Sequence, residues 1–287
     1  MIEYHRPATL KDALEVRAAT GARPLAGGTD LLVRHRNWAG TLPRLDGVVL
    51  YIGHLSELRS IEGQENGSTG GLRIGAGVTY AELLDNPATP ELLRRSIEEL
   101  AAPGLRNVAT LAGNICNASP AADATCALYA LDAEVELARP DGRRRLPIET
   151  FVTGPGQTLL AADELLVAVH LPPAATAAAI QYYHKVGTRK ANALSKLSIC
   201  ARAAMTDGRV TDVAIALGAV APTIVRSREI EGRVLGMTPK EAAARAAEIA
   251  GGYQGLIRPI DDQRSTAAYR RHTAVALVER FLSERLL

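Results

Sequence analysis

The stretch PLAGGTDLLVRHR, residues 24–36, places two glycines between an apolar run and the start of a predicted helix. Gly27 and Gly28 permit a positive φ and the close approach of another backbone segment. Thr29 adds a hydroxyl, and Asp30 is a candidate cap at a helix start, where backbone amides favour an anion. A plain strand-to-helix turn is the simpler explanation of one Gly-Gly pair. A second sequence signal is therefore needed before an anion-binding role is favoured.

That second signal is TLAGNICNASPAAD, residues 110–123. Gly113 and Asn114 predict another permissive turn, and Asp123 opens the next predicted helix. Further polar side chains crowd this turn, namely those of Thr110, Asn117 and Ser119. Two such turns could hold the two phosphates of a dinucleotide without the lysine of a P-loop. A polar loop that satisfies its own backbone explains the second stretch equally well on chemistry alone.

The composition disfavours several functional classes. The 287 residues carry 33 basic and 31 acidic side chains, with the arginines scattered rather than striped, so nothing favours nucleic acid. Aromatic residues make up 4%, too few for stacking platforms along a single strand. The start of the chain has no apolar signal core, and no run of about 18 apolar residues follows. We therefore expect a soluble, cytoplasmic protein with no transmembrane segment and no nucleic-acid partner.

The three cysteines give no metal signal. Cys116, Cys126 and Cys200 form no CxxC pair, and no cluster of His and Cys has the spacing of metal ligands. Reduced and mostly buried thiols are the expectation. We assign no metal site, and we do not expect this chain alone to hold an iron–sulfur cluster.

Hydrophobic patterning predicts an α+β protein in two parts, residues 1–175 and 176–287, joined by the linker candidate PPAATAAA at 172–179. The second part reads as a three-stranded antiparallel sheet with helices. The predicted helices cover 9–20, 91–102, 121–133, 238–252 and about 265–285, and 72–84 reads as strand, turn and helix. The predicted strands cover 48–52, 134–148 (a hairpin turning at Pro-Asp-Gly), 164–171, 180–187, 196–205 and 210–220. Asp207-Gly208 predicts a hairpin turn, and Thr238 with Glu241 a capping box.

GAGVTY, residues 75–80, begins like the fingerprint of a Rossmann fold. Tyr80 stands where that fingerprint has its third glycine, and a large side chain there would block close packing of helix on strand. No acidic residue ends a second strand at the expected distance, and neither a Walker A motif nor GxSxG occurs. The Rossmann interpretation is therefore rejected.

Cations concentrate in YYHKVGTRKANALSKLS, residues 182–198, which include Lys185, Arg189, Lys190 and Lys196. A solvated hairpin face explains them. The functional alternative is that one cation neutralises an anionic ligand, or that a Tyr ring lies on an aromatic cofactor. His184 has no carboxylate near it in sequence, so we assign no catalytic acid or base.

Together these stretches resemble the FAD-binding medium subunit of molybdenum hydroxylases, the group of xanthine dehydrogenase and aerobic carbon monoxide dehydrogenase. The resemblance runs along the whole chain, and the two loops in this order are specific to it. It implies a two-subdomain FAD-binding domain of the PCMH-like kind, with subdomains at about 1–55 and 56–175, and a C-terminal flavoprotein domain at 176–287. It is carried by RPATLKDAL, LAGGTDLL, LRIGAGVTYAEL, ATLAGNICNASPAAD, DELLVAVHLP, YYHKVGTRKANALSKLS, GAVAPTIVRSREIE and STAAYRRHTAVALVERFL.

The resemblance also implies which positions contact FAD. The first loop would wrap the pyrophosphate, the second would complete the cradle, and Asp123 would hydrogen-bond the cofactor. The implied positions are Pro24, Leu25, Ala26, Gly27, Gly28, Thr29, Asp30, Leu31, Leu100, Thr110, Leu111, Ala112, Gly113, Asn114, Asp123, Leu165 and Lys185.

This chain departs from the family pattern at the second loop, where Ala112 stands in place of the first glycine. If that position needs a positive φ, alanine costs roughly 1 kcal/mol there, and we expect weakened rather than abolished binding. A smaller departure is Ala193, where some relatives have an acidic residue. The insertion that carries a [4Fe–4S] cluster in the hydroxybenzoyl-CoA reductase branch is absent.

By this resemblance the chain is an oxidoreductase subunit that holds only the flavin. Electrons would pass from [2Fe–2S] clusters on a small partner to FAD and then to NAD⁺, oxygen or a quinone. A large partner would carry the molybdopterin cofactor, in a dimer of heterotrimers. Two alternatives remain, a stand-alone FAD-dependent oxidoreductase of the same fold superfamily and a binding module that never holds a flavin.

Overall fold

The N-terminal part of the chain begins with a small parallel sheet. The computed structural model describes residues 3–39, 41, 44–63, 71–176, 178–189 and 192–286. Three strands pair in the order β1-β3-β2, and all pairs are parallel. The elements are β1 (Glu3–His5), α1 (Leu10–Thr20), β2 (Arg23–Leu25), α2 (Leu31–Arg34) and β3 (Val48–Tyr51).

Helix α1 shows how local chemistry positions the first glycine loop. The Thr9 side chain accepts from the amide of Asp12, and Gly21 ends the helix at φ 63°. The guanidinium of Arg17 is buried and donates to the carbonyl of Ala22 at 2.6 Å and to that of Glu164 at 3.2 Å. These hydrogen bonds fix the chain that enters β2 against the start of β10 in the second sheet. They thereby also fix the point from which the glycine loop after β2 begins.

The second sheet has five antiparallel strands in the order β4-β5-β10-β6-β7. Its central strand β10 is buried at every position, as its apolar run predicts. The sheet and its helices comprise β4 (Ile61–Gly63), β5 (Leu72–Gly75), α3 (Tyr80–Asp85), α4 (Glu91–Glu98), α5 (Pro103–Arg106), α6 (Leu111–Asn117), α7 (Asp123–Ala130), β6 (Glu134–Arg139), β7 (Gly142–Pro147), α8 (Ile148–Phe151) and β10 (Leu165–Leu171), with the small pair β8 (Val152–Gly154) and β9 (Gln157–Thr158) before β10.

The C-terminal part is an antiparallel sheet covered by helices. The prediction of three strands is one short, because a fourth strand of only two residues, too short to show a period, pairs with the third. The Asp207-Gly208 turn is confirmed, with φ of 51° and 71° at its two residues. The elements are α9 (Pro173–Thr176), β11 (Ile180–Val186), β12 (Leu197–Thr206), β13 (Arg209–Gly218), β14 (Val225–Arg226), α10 (Arg228–Gly232), α11 (Pro239–Ala244), α12 (Ala246–Gly251) and α13 (Ala267–Arg280).

Several predicted boundaries differ from the structure. The helix predicted at 91–102 ends at Glu98, and Ala101 just beyond it has a positive φ of 53°, which a continuing helix does not allow. Pro103 then begins α5. The helix predicted at 238–252 is two helices that break at Arg245, although its capping box is confirmed. The C-terminal helix ends in a π-helical turn, Phe281–Arg285. The predicted linker contains α9, and its residue 177 lies outside the described residues.

Helix α7 connects the two parts of the chain. It packs against β12 and β13 of the C-terminal sheet. At its C-terminal end the buried Arg202 donates to the carbonyl of Ala130 at 2.6 Å, and Arg226 donates to the carbonyl of Tyr129 at 2.5 Å. Both arginines also pair with Asp132. The orphan carbonyls of the helix end are thus satisfied from the C-terminal part of the chain, and the orientation of α7 depends on both parts.

Candidate functional site

A cavity of about 620 Å³ lies among the first glycine loop, helices α5 to α7 and the segment between β11 and β12. This volume is in the usual range for small-molecule and cofactor sites. All but one of the predicted contact positions line it. Leu111 is the exception, because its side chain is fully buried in the core.

The first loop has the geometry that its glycines predict. A Cβ on Gly27 would lie 1.8 Å from the carbonyl oxygen of Val108, so only glycine lets the two loops touch here. Gly28 has φ +71°, which side chains rarely adopt. The cap assigned to Asp30 is wrong, because its side chain makes no capping hydrogen bond and its own φ and ψ are helical.

The second loop does not contain the permissive turn predicted at Gly113 and Asn114, so that prediction is wrong. Helix α6 already begins at Leu111, because the Thr110 side chain caps it by accepting from the amide of Gly113 at 3.1 Å. A Cβ on Gly113 would lie 2.9 Å from that same hydroxyl, so the glycine keeps room for the cap.

Because the predicted turn does not form, the strain expected at Ala112 does not arise. Ala112 lies in the first turn of α6, and its φ is not positive. It therefore carries no left-handed strain, and the expected cost of about 1 kcal/mol for a positive φ does not arise. The side chain is buried at the cavity wall.

A buried ion pair closes the opposite wall. Asp123 accepts through Oδ2 from Lys185 Nζ at 2.8 Å and through Oδ1 from Ser195 Oγ at 2.5 Å. The Lys185 ammonium also donates to the carbonyl of Glu99 at 3.1 Å. Both side chains of the pair are almost fully buried. Lys185 is thus neutralised by the chain itself. The hypothesis that one cation of residues 182–198 neutralises an anionic ligand stays a prediction. Lys190 lies outside the described residues.

In the basic stretch, residues 192–195 line the cavity, whereas Arg189 is exposed as a solvated hairpin face predicts. Tyr182 and Tyr183 are buried, whereas His184 is exposed. Lys196 lies 5.6 Å from the centre of the Tyr269 ring. Partial loss of water around the ring lowers the pKa of His184, and the nearby charges of Arg280 and Arg285 act in the same direction.

Several cavity residues were not identified from the sequence, namely Arg34, Tyr80, Cys116, Asn192 and Ser195. Asn192 and Ser195 belong to the segment between β11 and β12, and nothing local distinguishes them from other loop residues. Burial raises the pKa of the Cys116 thiol to about 12, so it stays protonated. In the part of the chain that the structure describes, no group of three His, Cys, Asp or Glu side chains converges to hold a metal ion.

Comparison with known proteins identifies this architecture. Residues 1–174 match the family described as the FAD binding domain in molybdopterin dehydrogenase, and residues 182–285 match the CO dehydrogenase flavoprotein C-terminal domain. The xanthine dehydrogenase FAD-binding subunit of Escherichia coli O157:H7 is 33% identical over 290 residues, which cover 98% of this chain and 94% of that protein. The carbon monoxide dehydrogenase medium chain of Hydrogenophaga pseudoflava is 31% identical over 98% of this chain and 96% of its own length.

A solved structure agrees with these sequence matches. A chain of the carbon monoxide dehydrogenase from Hydrogenophaga pseudoflava that lacks the Mo-pyranopterin moiety has a TM-score of 0.85 and 27% identity, over 99% of this chain and 96% of that one. Fold and cavity thus define an FAD-binding subunit of an oxidoreductase. The chain belongs to the family of FAD-binding medium subunits of xanthine dehydrogenase and carbon monoxide dehydrogenase, as its motifs predict.

The residues of the cavity fit a dinucleotide. Gly27 and Gly28 leave a cradle that a Cβ would fill, and backbone amides at such a glycine turn suit phosphate oxygens. More of the exposed wall is apolar than polar, which suits the flat ring of a flavin. The helices of the described residues all fall short of the length and hydropathy needed to cross a bilayer.

Proposed function

We propose that this chain is the FAD-carrying electron-transfer subunit of a multi-subunit molybdenum hydroxylase. Electrons reach FAD from [2Fe–2S] clusters on a small partner and leave to NAD⁺, oxygen or a quinone. A large partner carries the molybdenum cofactor, and the assembly is a cytoplasmic dimer of heterotrimers, a heterohexamer. The observation that carries the proposal is one cavity whose walls come from both family domains.

The chain's own residues bind and orient the cofactor in this proposal. The loop from Pro24 to Leu31 holds the pyrophosphate, and Thr110 with the first turn of α6 forms the facing wall. FAD supplies the redox chemistry when bound, while the protein sets its position and environment. No acid or base is assigned, since Lys185 and Asp123 neutralise each other and His184 does not line the cavity.

The division of the chain forms part of the proposal. The FAD-binding domain covers residues 1–175, with subdomains at about 1–55 and 56–175, and the C-terminal domain covers 176–287. One apolar core is built mostly from residues before 176, and a second is built entirely from residues after 179. Helix α7 contributes Asp123 to the cavity at one end and rests on the second domain at the other.

The decisive experiment is co-expression of the chain with the products of its neighbouring reading frames. We expect visible flavin absorption in the purified chain and co-purification with two partners, one containing molybdenum and one containing iron. A chain that oxidises a substrate without any partner would establish the stand-alone oxidoreductase instead. A partner-bound chain that never takes up FAD would leave only a binding module.

A further inference from the structure

Tyr80 lies where the two loops of the cavity meet. Its amide donates to the carbonyl of Ala109 at 3.0 Å, and the residue before it, Thr79, forms a bridge with Thr110. The side chain is part of the cavity wall and is only 1% exposed. Its hydroxyl has no hydrogen-bond partner among the described residues. The residue that excludes a Rossmann fingerprint in the sequence therefore belongs to the lining of the cavity.

A buried hydroxyl without a partner destabilises a protein, because the group loses water and gains nothing in return. Other tyrosine hydroxyls are also buried and unpaired, but their residues do not line the cavity; they belong to Tyr129, Tyr182, Tyr183 and Tyr253. Tyr80 differs because a molecule in the cavity can supply the missing acceptor. The free energy lost by leaving this hydroxyl unpaired would then be regained when the molecule binds.

One acceptor of the cavity wall is already engaged. Asp123, which lines the same cavity, uses one carboxylate oxygen for Ser195 and the other for Lys185. Burial, together with the charges of Asp123 and Asp30, raises the pKa of Tyr80 well above its ordinary value. The phenol therefore keeps its proton and acts as a hydrogen-bond donor.

We propose that Tyr80 is a further cofactor-binding residue whose hydroxyl donates a hydrogen bond to an acceptor atom of FAD. The inference rests on the proposed function, since it requires that FAD occupies this cavity. Tyr80 is the first residue of α3, and its amide hydrogen bond to Ala109 joins the start of this helix to the segment before Thr110.

The test is Tyr80→Phe in the full-length chain, which removes the hydroxyl and leaves the ring. Titration of the flavin-free protein with FAD, followed by flavin fluorescence, should show a dissociation constant roughly 2- to 10-fold higher, the worth of one neutral hydrogen bond. The matched control is Tyr253→Phe, which removes a buried unpaired hydroxyl from the C-terminal core. Its dissociation constant should equal that of the wild type.

Thermal melting gives a second readout that a merely structural tyrosine would not produce. Without FAD, Tyr80→Phe should melt at the same or a higher temperature than the wild type, since an unpaired buried hydroxyl is removed. The rise in melting temperature on adding FAD should be smaller for the variant. Equal affinity and an equal rise would overturn the inference while the proposed function stands. A wild-type chain that binds no FAD would overturn the proposed function itself.

Discussion

Gly27→Ala is the sharpest test of the two-loop cradle. The added Cβ would lie 1.8 Å from the carbonyl oxygen of Val108 and 2.6 Å from its carbon. Both are backbone atoms, so no side chain can rotate away to make room. The first loop and the segment before Thr110 must therefore move apart, and these two segments form adjoining walls of the cavity.

The displacement can be estimated from the same distances. Real Cβ contacts stay above 3.0 Å, so the loops must separate by at least the missing 1.2 Å. Overpacking of this kind costs about 1–3 kcal/mol of folding stability. Binding groups must be held within about 0.5 Å of their productive positions. We therefore expect FAD affinity to fall at least tenfold, or about 1.4 kcal/mol, while the fold persists.

The assay compares flavin content and FAD titrations of Gly27→Ala with those of the wild type and of Gly104→Ala. Gly104 is the matched control, because it lies in α5, off the cavity wall, with no positive φ and no atom within 4 Å of the Cβ that alanine would add. That control should bind FAD normally and be as stable as the wild type or slightly more so. Stoichiometric FAD with wild-type affinity in Gly27→Ala would refute the cradle.

Three further outcomes follow from the geometry. Ala112→Gly should lower the free energy of unfolding by about 0.5–1 kcal/mol without improving FAD affinity, because the position is helical; tighter FAD binding would contradict this. Asp123→Asn leaves the buried Lys185 ammonium unpaired and should cost about 3–5 kcal/mol in urea unfolding; a loss below about 1 kcal/mol would argue against the pair. Burial alone would raise the pKa of Asp132, but the charge and hydrogen bonds of Arg226 and its neighbours hold it below the ordinary value. The Asp132 carboxylate therefore contributes its full stabilisation above about pH 3.9, and this stabilisation is lost as the pH falls through the lower folded pKa. In melting curves recorded at decreasing pH, Asp132→Asn should lose less stability than the wild type, because it has no such carboxylate to protonate.

The first loop illustrates what can be predicted without a structure. Its glycines predict close approach and positive φ, and Gly27 has the first of these properties and Gly28 the second. In the second loop Gly113 and Asn114 suggest a turn, whereas the Thr110 cap makes it a helix. A capping residue without Glu or Gln three positions later is a weak sequence signal, so the error lies in weighing two local preferences against each other.

The buried ion pair illustrates what could not be predicted. In the sequence Lys185 resembles a free cation in a basic stretch, yet Asp123, far earlier in the chain, neutralises it. Nothing in either neighbourhood encodes that partnership, because it exists only when α7 packs against the C-terminal sheet. The same packing brings Ser195 to the carboxylate.

The Thr238 capping box, the hairpins, the glycine loop and the family are specified by the amino-acid sequence, because they depend on residues a few positions apart or on motifs in a fixed order. Three other features arise only in the folded molecule: Tyr80 lines the cavity with no hydroxyl partner among the described residues, Lys185 is neutralised, and α7 is held at both ends by the C-terminal part of the chain. The physical reason is distance along the chain. Burial and long-range pairing come from elements that meet only after folding, so no local pattern specifies them.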